Sequence, residues 1–275
     1  MLASIADLET RVKLGFCQRR LKSILKEFKN KTRKEARLCR CNGPFSSLPA
    51  YDTFGNPFQV KVCVVPMTKG LAKQWHEKVQ PLVNSNYSHE GATDRRVRAD
   101  VGWRWPTYLK LVGIHNYLTQ MPGNCSKKGK AMCVVVSRGE QTFPIGMLSI
   151  VPKLHCNVEG VERQRAFTWY LSDAPSEAYE QFLGQPAVRG VAKTLIDCTI
   201  QAALDEGNDG EMLLHADPKG GRKLIDFYEA GCKMRRLSPN NGCVTVIWRR
   251  SRPDEYFHFN GADARAFSSR YDARR

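Results

Sequence analysis

The stretch over residues 185–207, "QPAVRGVAKTLIDCTIQAALDEG", decides how the rest of the chain is read. Leu195, Ile196, Ile200, Ala203 and Leu204 recur at helical spacing, so they share one face that needs an apolar partner. Gly207 supplies the stop. Ahead of the helix, Gly190 and Ala192 are small where the chain turns, so a ligand can approach the backbone closely. The first N–H groups of a helix have no internal acceptor, and the helix dipole favours negative charge beside them. Arg189 and Lys193 add fixed positive charge. Residues 188–193 thus have the make-up of a diphosphate cradle, with Val188, Arg189, Gly190, Val191, Ala192 and Lys193 as the candidate binding residues. Tight packing explains small residues at a helix start equally well.

Outward from this helix the pattern alternates between strands and helices. "FQVKVCVVPM" (58–67) reads as a strand, and "TKGLAKQWHEKVQPLVN" (68–84) as a helix broken near Pro81. "RWPTYLKLVGIHNYLTQM" (104–121) contains one further helix. "AMCVVVSRGE" (131–140) and "FPIGMLSIVP" (143–152) read as two antiparallel strands joined by a short turn, and "RAFTWYLSD" (165–173) as another strand. After the central helix come a strand, "EMLLHAD" (211–217), a helix, "GGRKLIDFYEAG" (220–231) with Gly231 as its stop, and a closing strand, "CVTVIWRR" (243–250). The expected fold class is α/β (α+β), with a mixed, mostly antiparallel central sheet flanked by helices.

Four segments follow: a basic helical arm over 1–40, a Gly-, Pro- and Ser-rich linker over 41–58, the main domain over 59–250, and a polar, Arg-rich tail over 251–275. The net charge of +16 is concentrated in the arm, where twelve Lys or Arg face four Asp or Glu. Such a balance favours a polyanionic partner, nucleic acid or an acidic protein face. The ten cysteines include no CxxC pair, and Cys39 and Cys41 lack a second pair at zinc-finger spacing, so no metal site is expected. With no apolar run of eighteen residues and a charged N-terminus, neither a spanning helix nor a secretory signal is expected, and the thiols suit a reduced cytoplasmic setting.

Taken together, "RGVAKTLI", "AALDEG", "EMLLHAD" and "LIDFYEAGCKM" resemble the Gcn5-related N-acetyltransferase family over roughly seven-tenths of the chain. The family's Q/R-x-x-G-x-G/A pattern lies over residues 187–192, with Gly190 and Ala192 matching and Ala187 in the place of Gln or Arg. Its F-Y-E-x-x-G-F pattern is laid over residues 227–232, with Phe227, Tyr228, Glu229 and Gly231 matching one residue shorter and Cys232 replacing the usual aromatic. Gly221 stands where an Asn is often seen. The resemblance implies acetyl-CoA as acyl-donor substrate, its diphosphate on the amides near residues 188–192, and direct transfer to an amine. It also implies that Tyr228 protonates the departing thiolate. The base in such enzymes is often a carboxylate on the central strands, or a water chain; Asp173 at the end of its strand is the first candidate, and His215 and Asp217 share one face of the later strand. The acceptor is expected to be macromolecular or anionic. The alternative is a binding or assembly protein on the same fold, possibly on nucleic acid, that has lost its chemistry.

Overall fold

The computed structural model describes residues 46–52, 54–92, 95–120, 127–138, 141–238, 242–244 and 255–274. The arm expected over 1–40 lies outside the described residues. Of the linker expected over 41–58, residues 47–51 instead form strand β1 (Ser47–Tyr51), antiparallel to β2 (Pro57–Pro66). Leu48 and Ala50 alternate into the core, and the Gly, Asp and Asn that read as linker make a hairpin turn. There the N–H groups of Phe54 and Asn56 both donate to Asp52 Oδ1, at 2.9 and 2.8 Å.

After β2, α1 (Lys69–Gln74), a π-helical turn (Trp75–Val79) and α2 (Gln80–Asn86) follow without a break. The expected interruption at Pro81 is absorbed by that turn, in which the Gln80 N–H reaches five residues back to the Trp75 carbonyl. Two short strands, β3 (Tyr87–Ser88) and β4 (Arg96–Val97), pair in parallel before α3 (Trp105–Leu118). The antiparallel ribbon β5 (Lys130–Arg138), β6 (Gln141–Val158) and β7 (Val161–Asp173) forms the centre of the sheet. The β6–β7 hairpin turns through Glu159 and Gly160, both at positive φ, the two-residue geometry that matches strand twist. Then come α4 (Ser176–Leu183), α5 (Val191–Asp205) and β8 (Met212–Ala216), which lies parallel to β7.

Helix α6 (Gly221–Asp226) runs into a second π-helical turn (Phe227–Cys232). Gly231, expected to end this helix, lies inside the turn; the residue in the left-handed region is Lys233, at φ 68°. The Lys233 and Met234 N–H groups close the end on the Glu229 and Tyr228 carbonyls. Strands β9 (Arg235–Arg236) and β10 (Gly242–Val244) follow. β10 is the described start of the strand expected over 243–250 and pairs with β6; residues 245–250 lie outside the described residues.

The tail expected over 251–275 contains β11 (Glu255–Phe259), which is inserted between β8 and β9, and α7 (Gly261–Ser269), which packs on α5. Its polar composition conceals a run, Tyr256 to Phe259, in which every side chain is buried. The sheet order is β1-β2-β5-β6-β7-β8-β11-β9, mixed and mostly antiparallel. Successive residues of its strands go to opposite faces. Ala166, Met212 and Leu214 join the α5 side, whereas Phe167, Trp169 and Leu213 meet Val112 of α3. Helices thus flank both faces.

Candidate active site

Strands β7 and β8 pair only at Ala166 with Met212, Phe167 with Leu213 and Thr168 with Leu214. Beyond Thr168 they part. On β7 the register against β6 slips by one at Trp169, a bulge that bends the strand, while β8 continues beside β11. The gap is a cleft of about 290 Å³. Ala192 at the head of α5, Tyr228 from the second π-helical turn and Asp173 at the end of β7 all line it, as do His215 and Asp217. Residues more than 50 apart in sequence are thereby brought to one opening.

The other cradle residues fall differently. Val188 and Val191 are buried in the core. The Arg189 N–H is committed to the Pro49 carbonyl of β1 at 2.7 Å, so it is not a free donor. Gly190, at φ 82°, is the residue before the helix, and no side chain caps the first turn. A Cβ added to Gly190 would meet nothing within 4 Å, so the space over the helix end is open. The donors left for an anion are the N–H groups of Val191, Ala192 and Lys193.

Tyr228 is 6% exposed and packs its ring against Phe227 and Phe257, with centroids at 5.2 and 5.1 Å. Phe227 is the less buried of the two, so the tyrosine is the anchored ring and the phenylalanine a cleft wall. Cys232 is fully buried, and burial pushes its thiol up to about 12, which makes it a small apolar filler and not a nucleophile. At Gly221, φ is 61° and a Cβ would overlap the Glu90 carboxylate.

Two residues that sequence reading missed organise the acidic wall. The guanidinium of Arg98 forks onto Asp100 with two bonds of 2.8 Å, and also donates to the Asp173 carbonyl at 2.7 Å and to Asp173 Oδ1 at 3.2 Å. Ser172 Oγ donates to Asp100 Oδ2. Burial opposes the charge on Asp100, but the Arg98 charge and the bonds from Arg98 and Ser172 outweigh it, so its pKa is lowered. Asp173 goes the other way. Burial raises its pKa, the Asp100 charge adds to that, and Arg98 offsets only part. Its side chain is nevertheless 44% exposed, because the protein that surrounds it leaves the cleft side open. Two carboxylates with opposed shifts in one cleft can divide their roles, one staying ionised as a fixed charge and the other exchanging a proton. Arg98 and Asp100 sit in a short irregular stretch, "DRRVRADVGWRW" (94–105), with no periodicity to single them out.

No family model and no curated protein sequence matches the chain. Among solved structures, Mycobacterium smegmatis RimJ in complex with CoA-disulfide is similar at 12% identity, covering 84% of this chain and 96% of that chain, with a TM-score of 0.37. A likeness of that size adds nothing to the geometry above. Among the described residues no cluster of metal-ligating side chains occurs, and no helix is long and apolar enough to cross a membrane.

Proposed function

We propose that the chain is an N-acyltransferase that moves an acetyl group from acetyl-CoA directly to an amine. The observation that carries this reading is the convergence of three groups on one cleft: an uncapped helix N-terminus at Ala192, the hydroxyl-bearing Tyr228 and the raised carboxyl of Asp173. The N–H groups of Val191, Ala192 and Lys193 hold the donor's diphosphate, helped by the Lys193 and Arg189 charges. An ammonium is no nucleophile, so Asp173 takes the acceptor's proton. The nitrogen then bonds to the acyl carbon as the carbon–sulfur bond breaks, Tyr228 supplies a proton to the departing thiolate, and the second proton released by the acylated nitrogen restores the tyrosine. Asp100 and Arg98 hold Asp173 in place. The excess charge of residues 1–40 fits a large or anionic bearer of the acceptor.

The rival reading, a binding or assembly protein, rests on the departures at Ala187, Gly221 and Cys232. A titration with acetyl-CoA followed by thermal unfolding separates the two, since a ligand of the folded state raises the melting temperature. Tyr228→Phe is expected to keep that shift and to lose at least about a hundredfold in turnover, the lower end of the range for acid–base assistance. Absence of any shift at saturating coenzyme would move the assignment to the rival.

A further inference from the structure

The acyltransferase reading leaves the acceptor open, and the wall of the cleft formed by the stretch between β3 and α3 narrows it. Residues 87–92 and 95–104 cross the gap between β7 and β8 and are tied to both sides. On the β7 side, Arg98 holds Asp173, Ser172 holds Asp100, and Arg96 pairs with Glu177 just beyond the strand. On the β8 side, the Glu90 N–H donates to the Lys219 carbonyl at 3.0 Å. The Ala99 Cβ comes within 3.1 Å of where a Cβ of Gly220 would lie. The cleft is therefore bridged, and a polypeptide cannot run through it in extended form. An acceptor has to enter end-on.

The chemistry of that end is also set. Arg98, Asp100 and Asp173 sum to one negative charge when both carboxylates are ionised. Asp173 Oδ1 is taken by Arg98, and Oδ2 has no partner among the described residues. The rings of Trp103, Trp169 and Tyr87 line the same cleft. A cation with an apolar stem complements this wall. A carboxylate or phosphate next to the amine would instead meet Asp100 and Asp173 in a poorly solvated site, which costs affinity.

We propose that this wall is the acceptor subsite and that it takes an unbranched primary alkylammonium, presented either as a lysine side chain or as a free aliphatic amine. This rests on the acyltransferase reading for its consequence, but not for its test. The direct readout is binding of pentylammonium chloride to the full chain without coenzyme, followed by tryptophan fluorescence, with pentanol as the neutral control. Saturable binding of the ammonium is expected, weakened about tenfold or more in Asp173→Asn, the loss of one charge-assisted hydrogen bond. Equal binding of pentanol, or no effect of Asp173→Asn, overturns the proposal.

The second readout is competition with acetyl-CoA present, followed by mass spectrometry. The acceptors are pentylamine, an N-acetylated lysine amide, and a lysine-free peptide with a free N-terminus. Both alkylamines are expected to outcompete the peptide, and the ratio between them separates a free amine from a lysine side chain. A peptide N-terminus acetylated as fast as either overturns the proposal. Ammonium binding without any coenzyme binding would sustain the subsite and sink the acyltransferase.

Discussion

Gly146 lies on β6 opposite Asp173 of β7 and Val134 of β5, directly beneath the first turn of α5. A Cβ there would come to 2.6 Å from Val191 Cγ1 and 3.2 Å from Leu195 Cδ1. Optimal carbon–carbon separation is roughly 3.5–4.0 Å, so Gly146→Ala demands a shift of about 1 Å. Leu195 has rotamers to use, but Val191 is stiff at χ1 and is buried, so the backbone of the helix start has to move. Overpacking of this kind costs about 1–3 kcal/mol. Restricting the unfolded chain returns about 0.4–1 kcal/mol, which leaves about 1–2 kcal/mol of net destabilisation. For a chain of this size that is a fall in melting temperature of about 2–8 °C. The same shift carries the Ala192 N–H away from the cleft, and a misplacement of about 1 Å can cost up to about a hundredfold in rate. Thermal unfolding with and without acetyl-CoA measures the loss of stability and of coenzyme affinity, and steady-state turnover measures the loss of rate. An unchanged melting temperature together with unchanged coenzyme affinity would refute the claim that Gly146 sets the distance between α5 and the sheet.

Glu211 is buried between Arg165, at 2.8 Å, and His258, at 2.7 Å. Burial works against its charge, but the bonds from His258, Arg165 and Arg163 outweigh that and lower its pKa to about 2. A depressed folded pKa gives stability that is complete above the ordinary carboxylate value and is lost as pH falls toward about 2. Acid titration of the folded signal should show that loss, and Glu211→Gln should remove the dependence while lowering stability at neutral pH. Asp173 carries the opposite shift, so the acid limb of kcat/KM should lie above the ordinary aspartate value and vanish in Asp173→Asn; a limb at that ordinary value would count against its role as base. Ending the chain after Pro253 deletes Phe257, Phe259 and Phe267, each buried. At about 1.5–3 kcal/mol apiece their loss rivals the whole stability of a domain, so circular dichroism should report an unfolded chain. A cooperative melt in that truncation would show that β11 is dispensable.

The elements that were legible in the sequence are those whose burial is long and periodic. Helix α5 and the long strands β6 and β7 announce themselves because their apolar residues recur over 15, 18 and 13 residues. What escaped is short or made of pieces. β1 has five residues, two of them inward, and lies among Gly, Pro and Ser that serve its hairpin. β11 also has five residues, flanked by charge, and its value lies in neighbours 40 residues away on β8. The two π-helical turns change the hydrogen-bond register without changing composition, so no residue pattern marks them. In the cleft, Tyr228 and Ala192 could be placed because a motif fixes their spacing. Arg98 and Asp100 could not, since their partners Ser172 and Asp173 are more than 70 residues distant and the stretch that carries them has no repeat.

The departures from the family pattern take on a different weight once the surrounding chain is considered. At Gly221 the missing side chain leaves room that the Glu90 carboxylate occupies, and its Oε1 accepts the Arg222 N–H at 3.4 Å. At Cys232 the missing aromatic leaves a buried thiol beside the Tyr271 hydroxyl. Burial raises that hydroxyl to about 12, and the thiol's charge adds to the effect. At Ala187 the loop is held by its backbone, through the bond from Arg189 to Pro49, and by partial burial against the core. In each case a group from a segment outside the family motifs lies close by: Glu90 of the bridge over the cleft at Gly221, Tyr271 of the C-terminal segment at Cys232, and the Pro49 carbonyl of β1 two residues on from Ala187. The three departures thus sit in packed surroundings and not in vacated space, so they do not by themselves favour a binding scaffold. The coenzyme titration, which reads the groove directly, decides between the two.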